Sequence, residues 1–98
     1  MQQGEAKACL EAGLMYYSGR GVSQDFAKGA TYFKKACDGG EWMGCGFLAS
    51  HLGSHDNNES KARQYYKKAC KLGEDDSDMQ NDPKRREIWR GCCILSEN

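Results

Sequence analysis

Six cysteines are the residues of this 98-residue chain with the most evident chemistry. In so short a chain they indicate disulfides in an oxidising compartment, a metal site, or small buried thiols. Structural zinc prefers pairs of cysteines with about two to four residues between them, and redox catalysis prefers Cys-x-x-Cys. Neither spacing occurs, which favours disulfides or buried thiols. The six are Cys9, Cys37, Cys45, Cys70, Cys92 and Cys93.

The composition argues against several classes of function. Fourteen Lys and Arg balance fourteen Asp and Glu, whereas binding nucleic acid through its phosphates needs a basic excess. No stretch approaches the roughly 18 consecutive apolar residues of a membrane-spanning helix, so we expect no membrane insertion. Residues 1–5 show no charged segment before an apolar run, so we expect no signal peptide in this chain.

Two types of segment alternate along the chain. Residues 28–40 and 61–73 align without a gap and share Tyr-aromatic-Lys-Lys-Ala-Cys, which ends at Cys37 and Cys70. The second type contains Trp-x-Gly-Cys, at Trp42 and again at Trp89, and the segment from Cys9 fits the same template. Small and apolar residues recur in both types at the spacing of one helix face. The sequence therefore predicts helices at 6–17, 25–38, 41–52, 58–72 and 83–96.

These helices are predicted to stack into one domain over residues 1–98. Short connections pair successive helices as antiparallel hairpins, and neither helix of a pair buries its apolar face alone. We therefore predict an all-α fold, a right-handed α/α solenoid of about two and a half repeats. Its parts are an incomplete first repeat at 6–17, a full hairpin at 25–52, and a second hairpin at 58–96 with an acidic insertion at 74–82. The candidates for helix N-caps are Asp25, Asn57 or Asn58, and Asp82 before Pro83. The glycines predicted to end helices are Gly39-Gly40 and Gly73.

Residues 17–36 carry a family resemblance. They read Tyr-Ser-Gly-Arg-Gly-Val-Ser-Gln-Asp-Phe-Ala-Lys-Gly-Ala-Thr-Tyr-Phe-Lys-Lys-Ala, which resembles the Sel-1-like repeat, a relative of the tetratricopeptide repeat. The similarity extends over roughly residues 6–73 and returns at 87–96, and it is closest to the cysteine-rich bacterial type. The second loop departs from the pattern, since residues 51–57 lack Gly-x-Gly-Val.

The resemblance implies one disulfide per hairpin. Cysteine-rich relatives share the eight-residue spacing of Cys37 and Cys45, which implies that these two are bonded. Their equivalents in the next hairpin are Cys70 and Cys92, so the resemblance implies that pair as well. Cys9 and Cys93 are left over, and we expect them to be exposed thiols through which two chains can crosslink or dimerise.

The acidic insertion and the histidines are weaker candidates for a site. Five residues have the spacing of the ligands in a calcium-binding EF-hand loop, but Asn81 stands where that loop has glycine and Pro83 where it has an apolar residue. A solvated acidic loop is the alternative interpretation, and we assign no metal. We interpret His51 and His55 as surface residues, with Gly53 breaking any helix between them. The five residues with the spacing of calcium ligands are Asp76, Asp78, Gln80, Asp82 and Glu87.

Two tryptophans and two lysines are candidates for partner contacts. Trp42 and Trp89 begin equivalent helices, where tryptophan commonly packs but can also anchor a partner. Lys34 and Lys67 belong to basic bands on the first-type helices. These bands are either faces in contact with solvent or surfaces that bind an acidic partner.

The predicted function is that of a non-enzymatic scaffold. No catalytic set and no cofactor motif stands at a recognisable spacing, and we predict binding of a protein or peptide. The resemblance implies an adaptor outside the cytoplasm, periplasmic or secreted. It also implies an alternative, weak β-lactam binding or hydrolysis, as in cysteine-rich relatives. Immunity-type inhibition of a partner toxin is a second alternative within the interaction class, and no residue indicates it.

Overall fold

The computed structural model describes residues 3–97, which form six helices and no strand. Long helices alternate with short connections, and a single turn of helix interrupts the acidic insertion. Within these residues, no helix has the length and hydropathy needed to cross a bilayer. The helices are α1 (Gln3–Ser18), α2 (Phe26–Asp38), α3 (Trp42–Ser54), α4 (Glu59–Glu74), α5 (Ser77–Gln80) and α6 (Pro83–Ser96).

The starts of the helices follow the predicted capping residues. The side chain of Asp25 accepts a hydrogen bond from the backbone N–H of Lys28, and that of Asn58 accepts one from Lys61. Asp82 accepts bonds from two backbone N–H groups of α6, directly before Pro83. These bonds satisfy donors that a helix start leaves without an intrahelical partner. The predicted caps Asp25, Asn58 and Asp82 are therefore confirmed.

Each long helix packs against the next along the chain, as a helical solenoid requires. The packing of α2 on α3 is close, because a Cβ atom on Gly44 would lie 2.7 Å from the Cβ of Ala36. Phe33, 1% exposed, is the largest side chain of the first core cluster. The second cluster joins residues of α2, α3, α4 and α6, namely Cys37, Cys45, Ala69 and Cys92. The predicted all-α solenoid is confirmed.

The insertion is not wholly the loop that its acidity predicted, although the side chains of Glu74, Asp75 and Asp78 are exposed to solvent. It contains α5, which is capped by Asp76 and buries Met79 completely. Met79 lies against Gly73, and so does the indole of Trp89. Gly73 leaves room for both side chains. It does not adopt the left-handed φ of a helix-ending glycine, so α4 continues through it to Glu74 and the predicted stop at Gly73 is wrong.

The end of α3 also differs from the prediction. The helix runs through Gly53 to Ser54, so Gly53 does not break it. Gly53 does not adopt the left-handed φ at which a glycine ends a helix, and it packs on α4, where the position of a Cβ on Gly53 lies 3.7 Å from the Cβ of Ala62. His51 and His55 consequently lie one turn apart on the same helix face.

Candidate partner-binding groove

A groove of about 220 Å³ lies between α3 and α6. Met43, Phe47 and Ser50 of α3 form one wall, and Ile88 and Leu95 belong to the other. Both walls come from second-type helices, which occupy equivalent places in the repeat. The remaining lining residues are Trp42, Gly46, Tyr66, Gly91 and Cys92.

A second cavity continues the groove. It has a volume of about 320 Å³ and shares the lining residues Tyr66 and Leu95 with the first, so the two cavities adjoin. Its other lining residues come from the end of α3 and the start of α4. Arg63 and Glu59 make this end polar, in contrast to the apolar end near Met43.

The wall of the groove on α6 is partly open to solvent. Ile88 is 49% exposed and Leu95 is 46% exposed, and they lie two turns apart on one face of the helix. Ile94 is more exposed still, at 62%, but does not line the groove. Exposed apolar side chains around a concave surface are typical of an interaction site.

The groove places two titratable groups in apolar surroundings. Burial raises the pKa of the Cys92 thiol to about 11, because the charged thiolate is disfavoured there. Burial also raises the pKa of Tyr66, and a hydrogen bond with Ser50 partly opposes that shift. Both groups are therefore neutral at physiological pH, and neither supplies an activated nucleophile.

Two disulfides join the helices that form the walls of the groove, α3 and α6, to neighbouring helices. Cys37 is bonded to Cys45 across α2 and α3, with Cα atoms 4.6 Å apart, which is the pair that the resemblance implied. Cys70 is bonded to Cys93, with Cα atoms 4.9 Å apart. The prediction that Cys70 pairs with Cys92 is wrong, and so is the expectation that Cys93 is an exposed thiol. Cys92 is a buried thiol instead, 5% exposed.

The orientation of α6 explains this correction. The Nε1–H of Trp89 donates a 2.8 Å hydrogen bond to the backbone carbonyl of Cys70, so the face of α6 that carries Trp89 lies against α4. Cys93 is four residues further along and shares that face. Cys92 faces α3, where its Sγ lies 3.0 Å from the position of a Cβ on Gly46.

Cys9 lies at the opposite end of the array. It is half-buried in α1 and packs against the first core cluster, next to residues such as Leu10. The expected crosslink through Cys93 is excluded by its bond to Cys70. A crosslink through Cys9 stays a prediction.

The four residues named from the sequence as partner contacts occupy different environments. Trp42 lines the groove but is 2% exposed, so it packs in the wall. Trp89 is half-buried between Gly73 and Cys70. Lys34 is exposed, and a 3.2 Å hydrogen bond to Asp38 raises its pKa.

Lys67 is also exposed. Neither Lys34 nor Lys67 lines the groove. Partner contact through these four residues therefore stays a prediction, and the groove was not found from the sequence.

His51 and His55 belong to an aromatic cluster that the sequence did not reveal. His51 is 9% exposed, and its Nδ1 is hydrogen-bonded to the hydroxyl of Tyr17 at 3.2 Å. Its ring stacks on that of His55, and His55 in turn packs on Phe26, with ring centroids 5.0 and 4.8 Å apart. The interpretation of His51 as a surface residue is therefore wrong. Burial, and secondly the charge of Asp56, raise the pKa of Tyr17.

The five candidate calcium ligands are distributed over α5, α6 and the N-caps of these two helices. Asp76 caps α5 and Asp82 caps α6, while Gln80 donates a hydrogen bond to the carbonyl of Gly73. Asp78 lies within α5 and Glu87 within α6. Among residues 3–97, no group of three His, Cys, Asp or Glu side chains is placed to hold a metal ion.

The stacked helices and the groove between equivalent helices define this chain as a helical repeat protein. The Sel1 repeat model matches residues 6–41 and 43–74, most of the chain, and the protein belongs to the Sel1 repeat family. The two matched segments pair α1 with α2 and α3 with α4. The predicted division into hairpins at 25–52 and 58–96 pairs the helices differently and stays a prediction. No curated protein and no solved structure gives a significant match. Sel1 repeats are generally non-enzymatic protein-interaction modules.

Proposed function

We propose that this protein is an interaction scaffold whose α3–α6 groove binds an apolar segment of a protein or peptide partner. One observation carries the proposal: the groove is lined by apolar side chains, and Ile88 and Leu95 at its edge remain about half exposed. Covering these side chains removes apolar surface from water, which favours association.

The apolar part of the groove has room for side chains of a partner. It encloses about 220 Å³ between Met43, Phe47 and Ile88, which suits a few apolar side chains. The neutral thiol of Cys92 and the hydrogen-bonded Ser50 give no support to the β-lactam alternative.

Each wall of the groove is crosslinked to a neighbouring helix. Cys37–Cys45 ties α3 to α2, and Cys70–Cys93 ties α6 to α4. Both walls are therefore attached covalently to the helices behind them. A preformed groove binds with less loss of conformational freedom than one that must first order itself.

The two disulfides support a location outside the reducing cytoplasm, periplasmic or secreted. Purification from an oxidising and from a reducing compartment tests this part of the proposal. We expect the protein purified from the oxidising compartment to contain both disulfides and to have a higher melting temperature than the protein from the reducing compartment. If the fully reduced protein were equally stable, this part of the proposal would be contradicted.

The binding proposal is tested by selecting short random peptides displayed on phage against the immobilised protein. We expect enrichment of peptides with an apolar core, and a loss of affinity of roughly tenfold or more in Leu95→Glu, since a charge would occupy the apolar edge. Ile94→Glu adds the same charge to the same helix outside the groove and should change affinity by less than about twofold.

Circular dichroism and a thermal melt of both variants establish that they fold alike. Equal affinity of the selected peptides for Leu95→Glu and wild type would refute the proposed site. Failure to enrich any peptide with an apolar core would refute the proposed function.

A further inference from the structure

The two segments that match the Sel1 repeat can be compared position by position. The first segment contains α1 and α2, and the second contains α3 and α4. From α2 to α4 the equivalent residue stands 33 positions later, as Asn58 stands after Asp25, and these two residues cap the two helices. From α1 to α3 the shift is 36 positions, as from Cys9 to Cys45.

The contacts between the helices of each segment follow the same shifts. A Cβ on Gly29 would lie 3.1 Å from the Cβ of Tyr17 in the first segment. In the second segment the position of a Cβ on Gly53 lies 3.7 Å from the Cβ of Ala62. Gly53 is the counterpart of Tyr17, and Ala62 is the counterpart of Gly29. The same pair of positions is therefore in contact in both segments, and the shifts relate equivalent places in the fold.

Aromatic rings fill the space around this contact in the first segment. The ring of Tyr17 packs on those of Phe26 and Phe33, with ring centroids 4.8 and 5.5 Å apart. Two imidazole rings from α3 complete the cluster, with the centroid of His51 5.7 Å and that of His55 6.0 Å from the centroid of Tyr17. The end of α1, the start of α2 and the end of α3 thus enclose a set of packed rings.

The second cavity lies at the equivalent place in the second segment. Gly53 stands where the first segment has Tyr17, and Glu59 stands where it has Phe26. Tyr66 keeps an aromatic ring at a third position, and all three of these residues line the cavity of about 320 Å³. The space is open because glycine and glutamate have no ring to place in it. The second cavity is therefore the counterpart of a space that aromatic side chains fill elsewhere in the same chain.

We infer that the partner segment inserts an aromatic side chain, phenylalanine or tyrosine, into the second cavity. The assignment rests on the proposed function and specifies one residue type of the partner. The inserted ring would pack on Tyr66 and against Leu95, as the ring of Tyr17 packs on Phe33. Contact between two aromatic rings stabilises beyond the apolar area that it buries. Arg63 also lines the cavity, and a guanidinium group packs favourably on the face of an aromatic ring.

A ring supplied by the protein itself tests whether this cavity is the site. Gly53→Tyr places a tyrosine at the position equivalent to Tyr17. The substitution is sterically possible, because Gly53 does not have a left-handed φ and the nearest atom to its Cβ position, the Cβ of Ala62, is 3.7 Å away. Gly53→Ala is the matched control, since it adds the Cβ and leaves the cavity open. The probes are peptides from the display selection, each with its aromatic residue kept or replaced by alanine.

We expect the enriched peptides to contain a phenylalanine or tyrosine in or beside the apolar core. For wild type and Gly53→Ala, replacing that residue by alanine should lower the affinity of the peptide roughly tenfold or more. For Gly53→Tyr the same replacement should change affinity by less than about twofold, because the tyrosine of the protein already fills the cavity. A tenfold loss in Gly53→Tyr as well would place the aromatic residue elsewhere and overturn the inference.

A second variant covers the case in which Gly53→Tyr does not fold, as judged by circular dichroism and a thermal melt. Glu59→Phe supplies the other missing ring, at the position equivalent to Phe26. Its control is Glu59→Gln, which removes the same charge without adding a ring. The dependence of affinity on the aromatic residue of the peptide should be lost in Glu59→Phe and kept in Glu59→Gln. An equal dependence in both would overturn the inference.

Three further outcomes separate this inference from the proposed function. Enrichment of peptides that have an aliphatic core and no aromatic residue would overturn the aromatic site and leave the groove in place. Absence of any peptide with an apolar core would overturn both. Sedimentation that detects a dimer, dissociated by Gly53→Tyr and retained by Gly53→Ala, would identify a second copy of the chain as the source of the ring and would also overturn the inference.

Discussion

Trp89 and Cys70 are joined by a hydrogen bond of 2.8 Å from the indole Nε1–H to the backbone carbonyl oxygen. The bond fixes which face of α6 lies against α4, and it therefore decides which of two adjacent cysteines reaches Cys70. Cys93 lies on that face and forms the disulfide, while Cys92 lies towards α3 and lines the groove. One contact thus sets both the disulfide pattern and the composition of the groove.

This arrangement predicts different consequences for replacing the two adjacent cysteines. Cys93→Ser should leave Cys70 reduced and lower the free energy of unfolding by about 3.5 kcal/mol, from the entropy of the loop that the disulfide closes. Cys92→Ser should keep both disulfides and cost about 1 kcal/mol, because it alters only a small buried side chain. Non-reducing peptide mapping and urea denaturation measure the two effects.

The variants are needed because Cys92 and Cys93 are adjacent and fall in the same peptide. Retention of the link to Cys70 in Cys93→Ser, together with its loss in Cys92→Ser, would contradict the described orientation of α6. The double variant Cys37→Ser/Cys45→Ser serves as a reference, with an expected cost of about 2.5 kcal/mol for its shorter loop.

The contact between Tyr17 and His51 predicts a measurable contribution to stability. Tyr17→Phe removes the hydroxyl and leaves Nδ1 of the buried His51 without this partner, at a cost of about 1 kcal/mol. Tyr16→Phe is the matched control, because Tyr16 contacts Tyr32 through stacked rings that survive the substitution. Thermal unfolding at neutral pH compares them, and an equal effect of both would argue against the hydrogen bond.

The raised pKa of Cys92 predicts how its reactivity depends on pH. Only the thiolate is alkylated, so iodoacetamide should modify native Cys92 slowly up to about pH 9 and faster as the pH approaches its pKa of about 11. In guanidinium the rise should occur near the ordinary pKa of about 9. Mass spectrometry of the peptide containing Cys92 gives the rate.

The linked effect on stability has a definite sign. The folded protein holds the Cys92 proton more tightly than the unfolded chain, so the stabilisation is complete below about pH 9 and falls as the pH rises towards 11. Comparison with Cys92→Ala isolates this effect from other titrating groups. Equal alkylation rates of folded and unfolded protein at pH 8 would contradict the burial of the thiol.

Most of the fold could be predicted from the sequence, because its signals are local. Capping by Asp25, Asn58 and Asp82 and the small residues on the helix faces placed the long helices within a few residues of their ends. The short helix α5 was missed because four residues carry no helical period, and its anchor Met79 is buried against Gly73 and its surroundings, a contact that no local pattern shows.

The candidate site could not be predicted, because it depends on contacts between distant residues. The groove requires α3 and α6 to lie side by side with Tyr66 between them, and no spacing along the chain encodes this. The burial of His51 likewise depends on Tyr17, 34 residues earlier. The wrong partner for Cys70 has the same origin, since the rotation of α6 is determined by how Trp89 packs.

Chemical-shift mapping of the ¹⁵N-labelled protein with the tightest selected peptide tests the central claim most directly. The account predicts that the largest perturbations fall on the groove, at Phe47, Ser50, Gly91 and Leu95, and that Lys34 on α2 is unaffected. Perturbations concentrated on α2 or on the His51 cluster, with the groove unchanged, would contradict it.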